Sequence, residues 1–474
     1  MVVLEIDAAL EPACQDATGC IDTGPLRHLA DFGWYPVSAE FPITDRFNVE
    51  LVFTGPEEIG VAGTGARAPT ERIPGGVIRR FATERPTILP AFAMGDFAPA
   101  APFDNRVEVF GPYGFPSGEA LGGVAASAAS YYEQLLGAYP FSRLGLAPIS
   151  DDAGVALGPQ SNILLPSVFW LIPPEDEQTW PLVAQTVAHE IGHQYFFNLI
   201  GVLDDDEAWM SEAFAEYVAT RYWEAISSTR DAARINAWTY LYSVPSRDDE
   251  VLNSEAVRSS PYYFEIVYQK GSSVLHMLRF HLGTEVFDAA MRDYVEALSG
   301  QITTTPEFRA AIEGATGVGL EQFFDQWVHR PGFPTLHVSA EPARRDGDPV
   351  TLTVQQGSDW GPFEGTVPVV LDLDDGRQLT ERLPLFGDFR QPGDGVVRVR
   401  VDPELTVLRR VRPALDGDVD LSGVVDGKDL IDVRFAQGRS QPEPGFNDQL
   451  DINDDGRIDI SDEQVIFDSF GAGW

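Results

Sequence analysis

Lysine is nearly absent from this chain: of its 33 basic side chains only Lys270 and Lys428 are lysine. Basic charge is scarce altogether, since 73 acidic residues leave a net charge of −40 over 474 residues. Such a surface repels nucleic acid and anionic membranes, so neither is expected as a partner. A saline habitat and calcium binding are both consistent with this balance, and composition does not separate them. No uninterrupted apolar run approaches the roughly eighteen residues of a membrane-spanning helix, so no transmembrane segment is expected. The opening MVVLEIDAALEPAC lacks a basic start and a clean apolar stretch, so it is not read as a signal peptide; a processed chain would look the same. Cysteine is limited to Cys14 and Cys20. They suit one small disulfide in an oxidising compartment or two free thiols, and without further soft ligands a metal pair is disfavoured.

Against these absences stand a hydrophobic fraction of 44% and enough length for two to four domains. The most informative segment is HEIGHQYFFN, His189 to Asn198. Histidines at i and i+4 share one helical face and reach a single cation. Eighteen residues separate His193 from Glu212, within WMSEAF. Two neutral imidazoles and one carboxylate are the three-ligand set of a hydrolytic zinc site, whose fourth position is kept for water. Glu190 lies beside the same face, placed to take a proton from that water. Val187, Ala188, Ile191, Phe196 and Phe197 surround the pair and argue for a buried helix, where histidines need partners. Glu216, one turn after Glu212, is read as either an orienting group for an imidazole or an exposed glutamate.

HEIGHQYFFN followed by WMSEAFAEYV resembles the M1 family of zinc metallopeptidases, the aminopeptidase N and leukotriene A4 hydrolase group. AFAMGDF, ending at Phe97, resembles the end of that family's N-terminal β-domain. YYEQLLGAYPFSRLGL from Tyr131 resembles the opening of its catalytic domain, and FFDQWVHRPGFPTLHV from Phe323 its close. The resemblance implies one catalytic zinc on His189, His193 and Glu212, with Glu190 as general base. In VYQKG it implies Tyr268 as the tyrosine that stabilises the transition state. The family's amine-binding GAMEN motif is best matched by GPQSN, so Gly158, Ser161 and Asn162 are expected substrate-binding residues. Ser161 stands where the family has the glutamate that pairs with a substrate α-amine, and a hydroxyl carries no charge for that role. An aminopeptidase, an endopeptidase working in an open cleft, an inactive scaffold and a non-peptide hydrolase therefore all remain as readings.

Four domains are expected. Residues 1–98 read as an abbreviated β-rich domain (FNVELVF, VIRRFATE). Residues 99–333 read as a thermolysin-like, mainly helical zinc domain with a small sheet. Helical periodicity covers Val183–Leu199, Ser211–Thr220 and Ser272–Leu282, and PEFRAAIEGATG has proline and glycine where helix ends favour them. Residues 334–412 alternate as strands between Asp-Gly and Gly-Asp turns and suggest a small β-sandwich. Residues 413–474 form a separate module. Asp418, Asp420, Ser422, Val424, Asp426 and Asp429 stand at positions 1, 3, 5, 7, 9 and 12 of a calcium loop with Gly423 at position 6. Asp451, Asn453, Asp455, Arg457, Asp459 and Asp462 repeat the spacing around Gly456. Aspartate at position 12 and the following apolar residues resemble a dockerin, a paired EF-hand-like module. The resemblance implies two structural calcium ions, a cohesin-like protein partner beside the peptide substrate, and a secreted, extracellular or cell-surface location. Oligomeric state is left open.

Overall fold

The computed structural model describes residues 20–22, 26–29 and 46–472, apart from 98–102, 104, 112–116, 152–154, 228–231, 246–248, 342–348, 393–395, 423, 442 and 444–445. Cys14 lies outside the described residues, as does Gly423. The chain divides into two compact units, one of residues 1–223 and 288–317, the other of 224–287 and 318–474.

In the first unit the N-terminal stretch forms antiparallel sheets, as its alternation predicts. One joins Cys20–Asp22, Leu26–Leu29, Phe92–Gly95 and Gly60–Gly63 in that order. Another pairs Glu50–Gly55 with Gly76–Ala82, so that alternate residues of the latter (Val77, Arg79, Phe81) are buried. Next comes a parallel three-stranded sheet with Leu144–Ile149 between Val107–Val109 and Asn162–Pro166. Leu144–Ile149 is buried at every position, the pattern of a strand covered on both faces. Arg143 joins these sheets: it pairs with Glu108 and donates to the carbonyls of Gly63 and Gly65 and to Asn162 Oδ1.

Three helices then build the site: α1 (Gly118–Leu136), α2 (Trp180–Tyr195) and α3 (Trp209–Ile226). The Tyr132 hydroxyl of α1 donates to Ala188 O of α2, and Tyr195 OH of α2 returns a bond to Gly137 O just past α1. Helix Thr305–Thr316 begins in a Thr304/Glu307 capping box and ends at Gly317 with φ +70°, the asymmetry its sequence predicts.

The second unit contains helix α4 (Ala232–Ser243), a π-helical turn Glu265–Lys270 and helix α5 (Gly271–Leu282). Strands from residue 335 to 413 form a four-stranded sheet and a three-stranded sheet. Helices Gly427–Ala436 and Ile460–Ser469 follow the two aspartate-rich loops, each started by its own capping box. The C-terminal segment is tied into this unit by charge. Buried Arg409 pairs with Asp448, and Arg410 and Arg412 both hold Asp454. Among the described residues no helix is long and apolar enough to cross a membrane.

Candidate metal centre

Helix α2 is buried along nearly its whole C-terminal half, through Val187, Ala188, Ile191 and Tyr195, so its polar side chains must find partners inside. Its approach to α3 is set by two small residues. A Cβ on Gly192 would lie 2.8 Å from Ala215 Cα and 3.0 Å from its Cβ, closer than packing allows. That close crossing delivers Glu212 to the two histidines. Its Oε2 lies 3.2 Å from His193 Nε2 and 3.5 Å from His189 Nε2. The donor atoms of all three lie within 4.8 Å of one another.

Each imidazole is also held from its far side. Glu216 Oε2 meets His189 Nδ1 at 3.1 Å, while its other oxygen accepts from Gln185. Glu216 is itself buried, so the exposed-glutamate reading falls away. His193 Nδ1 faces Phe196 O at 3.2 Å and Ser211 Oγ at 3.3 Å. Both Nε2 atoms are thereby aimed inward, the arrangement that fixes metal-binding histidines.

The electrostatics follow from this enclosure. Burial alone would lower the His189 pKa, but hydrogen bonds donated by the imidazole to Glu212 and Glu216 outweigh it and raise the group to about 10. His193 is raised too, with burial again opposed by Glu212. Burial would raise Glu212, yet the two histidines hold it well below the carboxylate range. Glu190 goes the other way: burial raises it, only partly offset by His193 and His189. One carboxylate is thus kept as a permanent anion and its neighbour is made more basic. Two imidazoles and an anionic carboxylate, aimed at one point and oriented from behind, fit a single zinc ion.

The GPQSN segment is placed beside this site but built as a clamped loop. A Cβ on Gly158 would meet Glu190 O at 2.6 Å and Glu190 Oε2 at 2.9 Å, so only glycine lets the loop lie against the base. Gln194 Nε2 donates to Gly158 O and Pro159 O, and Asn198 Nδ2 also donates to Gly158 O. Ser161 has φ +63° and gives its main-chain N–H to Gln194 Oε1. Its side chain is fully buried, and Oγ has no hydrogen-bond partner among the described residues. Asn162 Oδ1 is taken by Arg143. Ser161 and Asn162, expected to bind substrate, are both fully buried. Gln194 and Arg143, both distant in sequence from this loop, supply the bonds that hold it inside.

Tyr268 belongs to the second unit, on the π-helical turn, with its ring 5.1 Å from Phe264 and 6.1 Å from Tyr263. In the C-terminal segment, carboxylate oxygens of Asp418, Asp420 and Asp429 gather within 4.8 Å of one another, forming one candidate cation site. Asp451, Asn453, Asp455, Arg457, Asp459 and Asp462 form no such cluster of three carboxylates among the described residues, so of the expected pair of calcium sites only the first is matched by a cluster. In that loop Asp454 is drawn to Arg410 and Arg412, and an asparagine stands at position 3.

Residues 127–327 match the pattern described as the peptidase family M1 domain. The chain is 27% identical over 216 residues to aminopeptidase M1-D of Oryza sativa subsp. japonica, covering 42% of this chain and 24% of that protein. It is 32% identical over 169 residues to aminopeptidase N of Lactococcus lactis subsp. lactis, covering 34% and 20%. Human glutamyl aminopeptidase aligns at 24% identity over 465 residues, 89% of this chain and 48% of that one. These curated relatives are thus at least about twice as long as the part of them this chain spans. The crystal structure of Legionella pneumophila aminopeptidase A in complex with aspartic acid shares the fold, with a TM-score of 0.68 at 16% identity, over 84% of this chain and 49% of the other.

Proposed function

We propose, taking the M1-type peptidase domain carried by residues 127–327 as premise, that this protein is a zinc metallopeptidase hydrolysing peptide bonds. The convergence of His189, His193 and Glu212, with Glu190 beside them, carries this reading. Zinc, when bound there, supplies a Lewis acid that makes a water nucleophilic near neutral pH. Glu190, buried and made more basic by that burial, takes the proton and returns it to the leaving amine. Glu216, Phe196 O and Ser211 keep the two imidazoles turned inward. By resemblance, Tyr268 donates its hydroxyl to the developing oxyanion.

Specificity is the finer part of the proposal. The segment resembling the family's amine anchor offers neither a carboxylate nor an exposed hydroxyl at Ser161, which favours cleavage that does not demand a free α-amine. With the zinc-loaded protein, a good peptide and its N-acetylated twin are expected to differ in kcat/KM by less than about tenfold. Cleavage of the unblocked peptide alone would restore a strict aminopeptidase with an anchor elsewhere. Turnover of neither would remove the peptidase reading.

The C-terminal segment is proposed as a dockerin-like calcium module of a secreted protein. Both loops share one internal pattern. The position-12 carboxylate accepts from the N–H groups of positions 3 and 9, as Asp429 does from Asp420 and Asp426 and Asp462 from Asn453 and Asp459. That likeness supports calcium in the second loop as well as the first. Exposed Ile431, Phe435, Ile460, Phe467 and Phe470 support a cohesin-like partner on the two helices. Sites of this kind stay filled where calcium is millimolar, which supports an extracellular setting.

Calcium and pH are linked here with a definite sign. Burial first, then neighbouring carboxylates, pushes Asp429 up to about 6 and Asp451 up to about 7. Carboxylates raised in the folded state stabilise it in acid, and that contribution is lost as pH rises from about 4 through 6 to 7. Calcium replaces those protons. In calorimetry of the full chain, millimolar calcium is expected to raise the melting temperature more at pH 8 than at pH 5, relative to chelator. An equal or larger effect at pH 5 would show that these carboxylates do not hold the ion.

A further inference from the structure

Between residues 187 and 202 every side chain is buried except one, Phe197. Its backbone is also the most unusual there, with φ +113°, a conformation natural to glycine and costly for a bulky residue. The turn is held from outside the helix. Arg46 Nη2 donates to Phe197 O at 2.8 Å, and its Nη1 donates to Asn198 O and Leu199 O. The Phe197 N–H closes the turn onto Ile200 O at 2.7 Å. A guanidinium partly withdrawn from solvent thus keeps the strained turn in place. The phenyl ring stands edge-on to the His193 imidazole, with centroids 6.3 Å apart.

A glycine would make this turn without strain, and the Phe197 ring is only partly buried. We propose that Phe197 is a specificity-determining residue, presenting an apolar edge beside the metal ligand His193 to an apolar side chain of the bound peptide. The inference rests on the metallopeptidase reading for its substrate, but not for its test. Aromatic surface beside a polar metal site gains from an aliphatic side chain and gains nothing from a hydrogen atom in its place.

The test uses the zinc-loaded full chain with two zinc-directed probes, leucine hydroxamate and glycine hydroxamate, titrated by calorimetry. Wild type is expected to bind the leucine compound about tenfold more tightly, a discrimination within the range of apolar pockets. Phe197→Gly is expected to bring that ratio close to one while zinc content stays stoichiometric and the melting temperature holds or rises. If Phe197→Gly fails to fold, Phe197→Ala reads the same ratio. An unchanged ratio in the folded variant, or no preference in wild type, overturns the proposal. Hydroxamate discrimination without turnover of any peptide would instead overturn the peptidase reading and leave this one standing.

Discussion

Replacing Glu190 with glutamine should leave zinc bound and lower kcat by about two to four orders of magnitude, the usual share of a positioned general base. The exchange keeps size and shape, which matters because Gly158 is packed against this side chain with no room for a Cβ. An amide accepts a hydrogen bond but not a proton at neutral pH, so the water is still held and no longer deprotonated. None of the inward-facing metal donors belongs to residue 190, and the partners of His189 and His193 on α3 are untouched. Zinc content by metal analysis should therefore match wild type. Equal turnover in the variant would move the base role to another group. Loss of zinc together with turnover would make Glu190 a structural support of the site.

The metal ligands were legible because they depend on short-range regularities. Histidines four apart on an apolar helix need only helical periodicity, and Glu212 falls on the next apolar helix at its expected spacing. The capping box at Thr304 is equally local. Non-local features were not legible. Periodicity carried α2 on to Leu199, but the helix stops at Tyr195, where Phe196 turns extended and Phe197 takes a positive φ, and Arg46, about 150 residues earlier, holds the carbonyls of 197 to 199. Gln194 reads as an ordinary helix residue yet clamps the GPQSN loop from within, and this is what buries Ser161. In the C-terminal loops twelve-residue spacing predicted two equal sites. Position 4 of the second, Asp454, is engaged by arginines some 40 residues away in sequence. Spacing reports which ligands a loop offers, and distant side chains decide how its charges are disposed.

Tyr268→Phe should lower kcat by about two to three orders of magnitude with little change in KM, the signature of a hydrogen bond made mainly in the transition state. The substitution removes one oxygen and leaves the ring, so its packing against Tyr263 and Phe264 persists. The backbone that carries it is firmly set. Lys270, fully buried, places its ammonium 3.3 Å from Asp249 Oδ2, and the same carboxylate accepts from Tyr240 OH at 2.6 Å and from Gly332 N–H. One buried anion thus gathers the end of the π-helical turn, helix α4 and the segment after Trp327. Wide turns of this kind recur at functional sites because the extra residue re-aims a side chain out of the helical register. Burial lowers the Lys270 pKa, with Asp249 opposing the shift, so Lys270→Met should disturb the turn by stranding the Asp249 carboxylate. The phenylalanine variant isolates the hydroxyl from all of this. Its circular dichroism and melting temperature should match wild type while kcat collapses. A fall confined to KM would make the hydroxyl a ground-state contact, and an unchanged kcat would take the oxyanion role away from Tyr268.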